Sequence, residues 1–150
     1  MRLEDEIVQS KFGSEEQKAV INIIYTSNWL NAIHSGLMKP YGLTQPQFNI
    51  LRILRGQHPN PATIRLLTER MLDKMSNASR LVEKLRQKGL VERITCPDDR
   101  RQVNVTITQN GLDLLSRIDV ELRPRQSDIL VNISEEEAFE LNRILDKIRG

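Results

Sequence analysis

Apolar residues recur at helical spacing along most of this chain, and at a spacing of two over one short stretch past its middle. Residues 1–13 read as a short helix or arm ending at Gly13. Ser14, with Gln17 three positions on, predicts a capping box opening a long helix. Val20, Ile23, Ile24, Trp29, Leu30, Ile33 and Leu37 are its apolar positions, and Pro40 and Gly42 end it near Met38. That apolar side is broader than one stripe and needs cover, from within the domain or from a second copy. Thr44 and Gln47 predict a second capping box, with Pro46 tolerated in the first turn and Phe48, Leu51, Ile53 and Leu54 facing inward.

The segment 56–62, GQHPNPA, reads as a loop. A third helix is predicted over 63–72 with Ile64, Leu66, Leu67 and Met71 inward, and a fourth over 73–88. In the fourth, Met75, Ala78, Leu81, Val82 and Leu85 fall on one stripe at 100° per residue, and Gly89 suits a left-handed end. The short link between these helices is that of a helix-turn-helix. Strands follow at 91–95 and 103–108, the second alternating cleanly as V-N-V-T-I-T, joined by a tip over 96–102. Thr108 is the predicted cap of a fifth helix carrying Leu112, Leu115, Ile118 and Leu122, which Pro124 should kink or terminate. Ser134 and Glu137 form a further capping box, opening a last helix with Phe139 or Ala138, Leu141, Ile144, Leu145 and Ile148. The fold class expected is mainly α with a small β-wing: a winged helix-turn-helix with helical arms at both ends.

Composition narrows this picture. At 150 residues the chain is long enough for a real core, and with 4% aromatic residues that core must be aliphatic. A single cysteine, Cys96, excludes an intramolecular disulfide and suits a reducing compartment. The acidic N-terminus has no uninterrupted apolar run, and no stretch approaches the roughly 18 apolar residues of a membrane span, so a cytoplasmic protein is expected. There is no glycine-rich phosphate loop and no nucleophile elbow, and neither histidine has a partner at motif spacing, so enzymatic activity is not expected. His34 and His58 with one cysteine are too few for a four-ligand zinc site, so neither a metal nor a cofactor is expected.

Charge matters through its distribution. Net charge is +2, yet residues 63–101 hold ten Lys/Arg against six Asp/Glu, leaving the remainder acidic. Such gathering suits a nucleic-acid face, although a solvated helix side would look the same. On the fourth helix Ser76, Asn77, Arg80, Glu83, Lys84 and Gln87 oppose the apolar stripe, with Ser79 on the flank and Lys74 near its start. Short polar side chains near a helix N-terminus allow close approach to base edges, and Arg80 can reach a guanine or a phosphate. The tip, PDDRR, places Arg100 and Arg101 at the end of a narrow ribbon, where guanidinium groups suit a minor groove; Asp99, two residues earlier, is placed to hold Arg101 extended.

The segment LVEKLRQKGLVERITCPDDRRQVNVTITQNG, with its L-x-x-K-G-L-V-E-R, D-R-R and T-x-x-G elements, closely resembles the MarR family of bacterial winged-helix transcriptional regulators. The resemblance is specific over 63–111, and the order of flanking helices extends it over nearly the whole chain. It implies a homodimer clasped through residues 1–40 and 109–150, each subunit presenting one winged helix over 44–108 to a pseudo-palindromic operator in double-stranded DNA. Carried over residue by residue, Ser76, Asn77, Ser79 and Arg80 lie on the recognition helix, Arg101 enters the minor groove, Asp99 orients it and Arg100 meets phosphate. The resemblance further implies a repressor released by a small aromatic effector, with Trp29, Ile33, His34 and Phe48 as candidate wall residues or simply core. Cys96 stands at the wing and not near the N-terminal helix, which argues against oxidant sensing. A winged-helix module that binds an acidic protein partner, without an effector, is the alternative reading.

Overall fold

The computed structural model describes residues 1–95, 98–129 and 131–150, and for 125–128 it describes the backbone alone. Cys96, with the first part of the hairpin tip, lies outside the described residues. The chain divides into two compact units, Met1–Leu112 and Asp113–Gly150.

The first unit opens with a short α1 (Leu3–Glu6) and a long α2 (Glu15–Met38). Ser14 caps α2 by accepting from the Gln17 backbone N–H at 3.2 Å. The return half of the expected box has slipped by one residue: the Gln17 side chain accepts from the Gly13 N–H at 2.7 Å. Two contacts not visible in the periodicity hold α1 on α2, a Lys18–Glu4 ion pair at 2.6 Å and a Tyr25 hydroxyl donating to Glu6 at 2.6 Å. The Lys18 ammonium holds the Glu4 carboxyl down at about 2. Trp29 remains 46% exposed, and Val20, Ile23 and Ile24 are also exposed. A 3₁₀ turn (Lys39–Tyr41) closes on Gly42 in the left-handed region.

Next comes α3 (Gln45–Gln57), with the full Thr44–Gln47 capping box and Pro46 in the first turn. Phe48, Leu51, Ile53 and Leu54 are buried as expected, joined by Ile50. The helix runs into the segment read as a loop. At the far end of that segment, Ala62 and Thr63 form a short strand β1, pairing antiparallel with Val105 and Asn104. Thr63 then caps α4 (Ile64–Arg70) by accepting from the Leu66 N–H.

Helix α5 (Ala78–Gln87) leads into β2 (Val91–Thr95) and β3 (Val103–Ile107), giving a three-stranded sheet of order β1-β3-β2. The ribbon register sets Val91 opposite Ile107 and Arg93 opposite Val105. Ala62, Val91, Val105 and Ile107 are buried, which turns one face of the sheet inward. Gly89, at φ 72°, ends α5 in a Schellman motif: its N–H donates to Arg86 O at 2.9 Å, and the Leu90 N–H donates to Leu85 O at 3.1 Å.

Helix α6 (Gln109–Ile129) begins where Thr108 Oγ1 accepts from the Gly111 N–H at 3.1 Å and donates to Gly89 O at 2.7 Å. One threonine thus caps α6 and ties it to the end of α5. Pro124 does not terminate α6, which continues through it to Ile129. A proline inside a helix removes one donor and crowds the carbonyl four residues back, which a long helix accommodates by bending rather than by stopping. In the second unit Leu115, Ile118 and Leu122 are buried on α6. The last helix, α7 (Glu135–Arg149), carries the expected Ser134–Glu137 capping box. None of its residues is buried, and Phe139, Leu141, Ile144 and Ile148 are exposed.

A β-carbon on Gly111 would lie 2.5 Å from Leu90 O and 2.6 Å from Ile107 Cγ1. The first neighbour is backbone and cannot swing aside, so Gly111→Ala should destabilise the first unit by about 1–3 kcal/mol. Denaturant unfolding checks this, and unchanged stability would contradict the packing described at the α6 start.

Candidate nucleic-acid interface

The apolar side of α5 anchors the site. Ala78, Val82 and Leu85 are buried and Leu81 half-buried, and α5 packs on α3 and α4. Three- and four-residue spacing puts these four on one stripe, so the other side must face outward. There Ser79, Arg80, Lys84 and Gln87 are exposed.

The helix starts five residues later than the apolar pattern predicts. Asn77 is its N-cap, with Oδ1 accepting from the Arg80 N–H at 3.0 Å. Lys74, Ser76 and Asn77 therefore precede the helix. Met75, expected in the core, is 93% exposed. Asp73 explains the difference: its carboxylate accepts from the Met75 N–H at 2.9 Å and from the Ser76 hydroxyl at 2.7 Å. A side chain that satisfies local donors competes with helix formation, and here it shapes a turn instead. The same two bonds, the Ser76 hydroxyl first, hold the Asp73 carboxyl below its ordinary range. Ser76 is thereby engaged in the turn, Asn77 Oδ1 in the cap, and the Lys74 ammonium with the Glu69 carbonyl. Ser79 and Arg80 follow inside the helix, both exposed on the first turn of α5.

Glu83, on the same helix, faces the ribbon. Its carboxylate accepts from Arg86 at 2.8 Å and from Arg93 of β2 at 3.3 Å. The Arg86 hydrogen bond and charge, with Arg93 behind them, pull the Glu83 carboxyl down to about 2. This bridge links α5 to the ribbon, a role its place in the sequence did not reveal. Lys84 and Arg86 also sit in the last turn of α5, where cations complement the helix dipole.

At the described part of the tip, Arg100 and Arg101 are both exposed. Asp99 acts on Arg101 through the backbone: Oδ1 accepts from the Arg101 N–H at 2.9 Å, and Asp99 O accepts from the Gln102 N–H at 3.0 Å. The acid thus fixes the turn that carries the arginine, where the sequence had suggested a grip on its side chain.

The four candidate wall residues are placed unevenly. Phe48 is buried in the core and Trp29 is exposed, while Ile33 and His34 are half-buried. His34 Nδ1 lies 3.4 Å from Gln45 Nε2. Sequence reasoning missed an open cleft of about 760 Å³ in the first unit, lined by Ser35, Lys39, Gln45, Lys84, Gln87 and Lys88 among others, and by none of the four. Among the described residues no group of His, Cys, Asp and Glu could hold a metal ion, and no helix is long and apolar enough to cross a membrane.

Residues 41–102 match the family model described as MarR family. Among solved structures, a MarR transcription factor from Planctomyces limnophilus is 29% identical, with a TM-score of 0.70 over 91% of this chain and 98% of that one. A mutant MarR from E. coli complexed with operator DNA is 21% identical, covering 99% of each chain with a TM-score of 0.74. The organohalide-sensing regulator RdhR in its 2,4-dichlorophenol-bound form is 20% identical, with a TM-score of 0.79 over 94% of this chain and 85% of that one. The mostly helical architecture with its small antiparallel sheet is that of winged-helix MarR structures.

The Glu83 bridge carries a pH signature. With its carboxyl lowered from 4.5 to about 2, the bridge stabilises the folded state fully above about pH 4.5, and the contribution is lost as pH falls towards 2. Glu83→Gln should flatten the acid limb of a stability-against-pH curve in that window. Parallel curves for the two proteins would show that solvent screens the bridge to nothing.

Proposed function

We propose that this chain, whose residues 41–102 match the MarR family model, is a homodimeric, sequence-specific DNA-binding repressor released by a small aromatic effector. One observation carries the DNA-binding part: an α5 face with exposed Ser79, Arg80 and Lys84 stands beside a ribbon that ends in exposed Arg100 and Arg101. In the proposed complex the first turn of α5, with Ser79 and Arg80, meets base edges in the major groove. Arg101 enters the adjoining minor groove, while Arg100, Lys84 and Lys74 meet phosphates.

Dimerisation is proposed through residues 1–40 and 109–150. Its support is apolar surface in need of cover: Ile24 and Trp29 on α2, and Phe139 and Ile148 on α7, are all exposed. A two-fold dimer implies a pseudo-palindromic operator with half-sites about one helical turn apart. The effector part is supported by the phenol bound to the RdhR relative and by the mixed apolar and polar character of Trp29, Ile33 and His34.

Arg80→Ala and Arg101→Ala should each weaken binding to a duplex selected from random sequence, by about 1–3 kcal/mol per lost base contact, with circular dichroism and oligomeric state unchanged. Wild-type affinity should also fall steeply with salt as phosphate contacts release counterions. If neither substitution matters and the salt dependence is flat, the DNA-binding reading is wrong.

Trp29 is the chain's one tryptophan and reports on the effector directly. Titration with simple phenols and aromatic acids should change its fluorescence over the same concentrations that release the duplex. Release with no change in Trp29 emission would place the effector elsewhere.

A further inference from the structure

The turn before α5 carries an oddity that neither the core nor the polar face explains. Met75 is 93% exposed and Leu72 82% exposed, three positions apart and within a few residues of the α5 N-terminus. Asp73 and Lys74 lie between them and Ser76 and Asn77 follow, so two large apolar side chains sit in an otherwise polar and charged surface. Nothing about this turn is loose. Asp73 pins the Met75 N–H and the Ser76 hydroxyl, Asn49 Oδ1 accepts from the Leu72 N–H at 2.9 Å, and Met71 alongside is buried. The backbone therefore holds Met75 outward at a fixed place, beside the first turn of the helix.

A methionine side chain held outward beside a helix that faces a partner is matched by an apolar group on that partner. The major groove offers one apolar feature along its edge, the C5-methyl group of thymine. Methionine suits that contact, being unbranched, polarizable and able to adapt its rotamers to a small target. We propose that Met75 is a specificity-determining residue that reads a thymine methyl group in each half-site, with Leu72 shielding the contact from water. This rests on the DNA-binding reading above, and adds a base preference to a surface whose other members read hydrogen-bonding edges or phosphates.

The test uses the full-length protein and a duplex selected from random sequence, with each thymine of the half-site replaced in turn by deoxyuridine, which removes only the methyl group. Wild-type protein should lose about fourfold in affinity per half-site at one particular thymine, the factor expected for one buried methyl group. Met75→Ala should bind the thymine and deoxyuridine duplexes equally, while Met75→Leu should keep the difference. Because Met75 is exposed, neither substitution should disturb folding. The proposal is overturned if no deoxyuridine substitution weakens the wild type, or if Met75→Ala keeps the full methyl preference. Failure of the wild type to bind any duplex would instead overturn the DNA-binding reading itself, so the two failures are distinguishable.

Discussion

Everything at the candidate interface depends on one packing arrangement, the seating of the α5 stripe of Ala78, Val82 and Leu85 against α3. Each of these residues is almost wholly buried, and so are Ile50, Leu51 and Leu54 on α3. Dense packing of this kind fixes the rotation of a helix about its own axis, because turning it would expose the stripe and bury charge. The outward direction of Ser79, Arg80 and Lys84 is therefore a consequence of the core and not of any polar contact. Three devices then fix α5 along its length: the Asn77 cap at one end, the Schellman motif on Gly89 at the other, and the Glu83 bridge to Arg93 in between. The ribbon inherits its position from the same core, through Val91, Val105 and Ile107.

That arrangement separates tasks among residues that look alike in sequence. Asn77 and Ser76 are small polar groups near a helix start, yet their oxygen atoms serve the cap and the turn. Asp99 and Arg101 are two apart at the tip, and the acid serves the backbone while the guanidinium stays outside. Groups that hold geometry sit beside groups left exposed for contact, the division expected where a binding surface must be pre-organised.

Much of the fold was legible because its determinants are local. The capping boxes at Thr44 and Ser134, the left-handed end at Gly89 and the alternation from Val103 to Ile107 are each contained within a few residues. What escaped notice depends on partners distant in sequence or on competition between equals. Strand β1 is two residues long and exists only through its pairing with Val105 and Asn104. The Lys18–Glu4 pair and the Arg93–Glu83 pair join different elements. The α5 start was misplaced because Met75 fits the apolar period, whereas Asp73 spends its carboxylate on a turn that ends the pattern early. The helix runs on past Pro124 for a related reason, since a single proline does not outweigh the turns on either side. At the candidate site the residue types do not distinguish Ser79 and Arg80, exposed on the helix, from Ser76 and Asn77, engaged before it; the fold does.

The central claim is that two copies of this chain set two α5 helices and two arginine-tipped ribbons against one face of a duplex. Hydroxyl-radical footprinting on a selected inverted repeat tests it most directly, since it reads backbone protection nucleotide by nucleotide. The account predicts two protected tracts centred about one helical turn apart, each with a further protected minor-groove segment that Arg101→Ala removes. A single tract, or uniform cleavage at protein concentrations that retain the duplex, would contradict it.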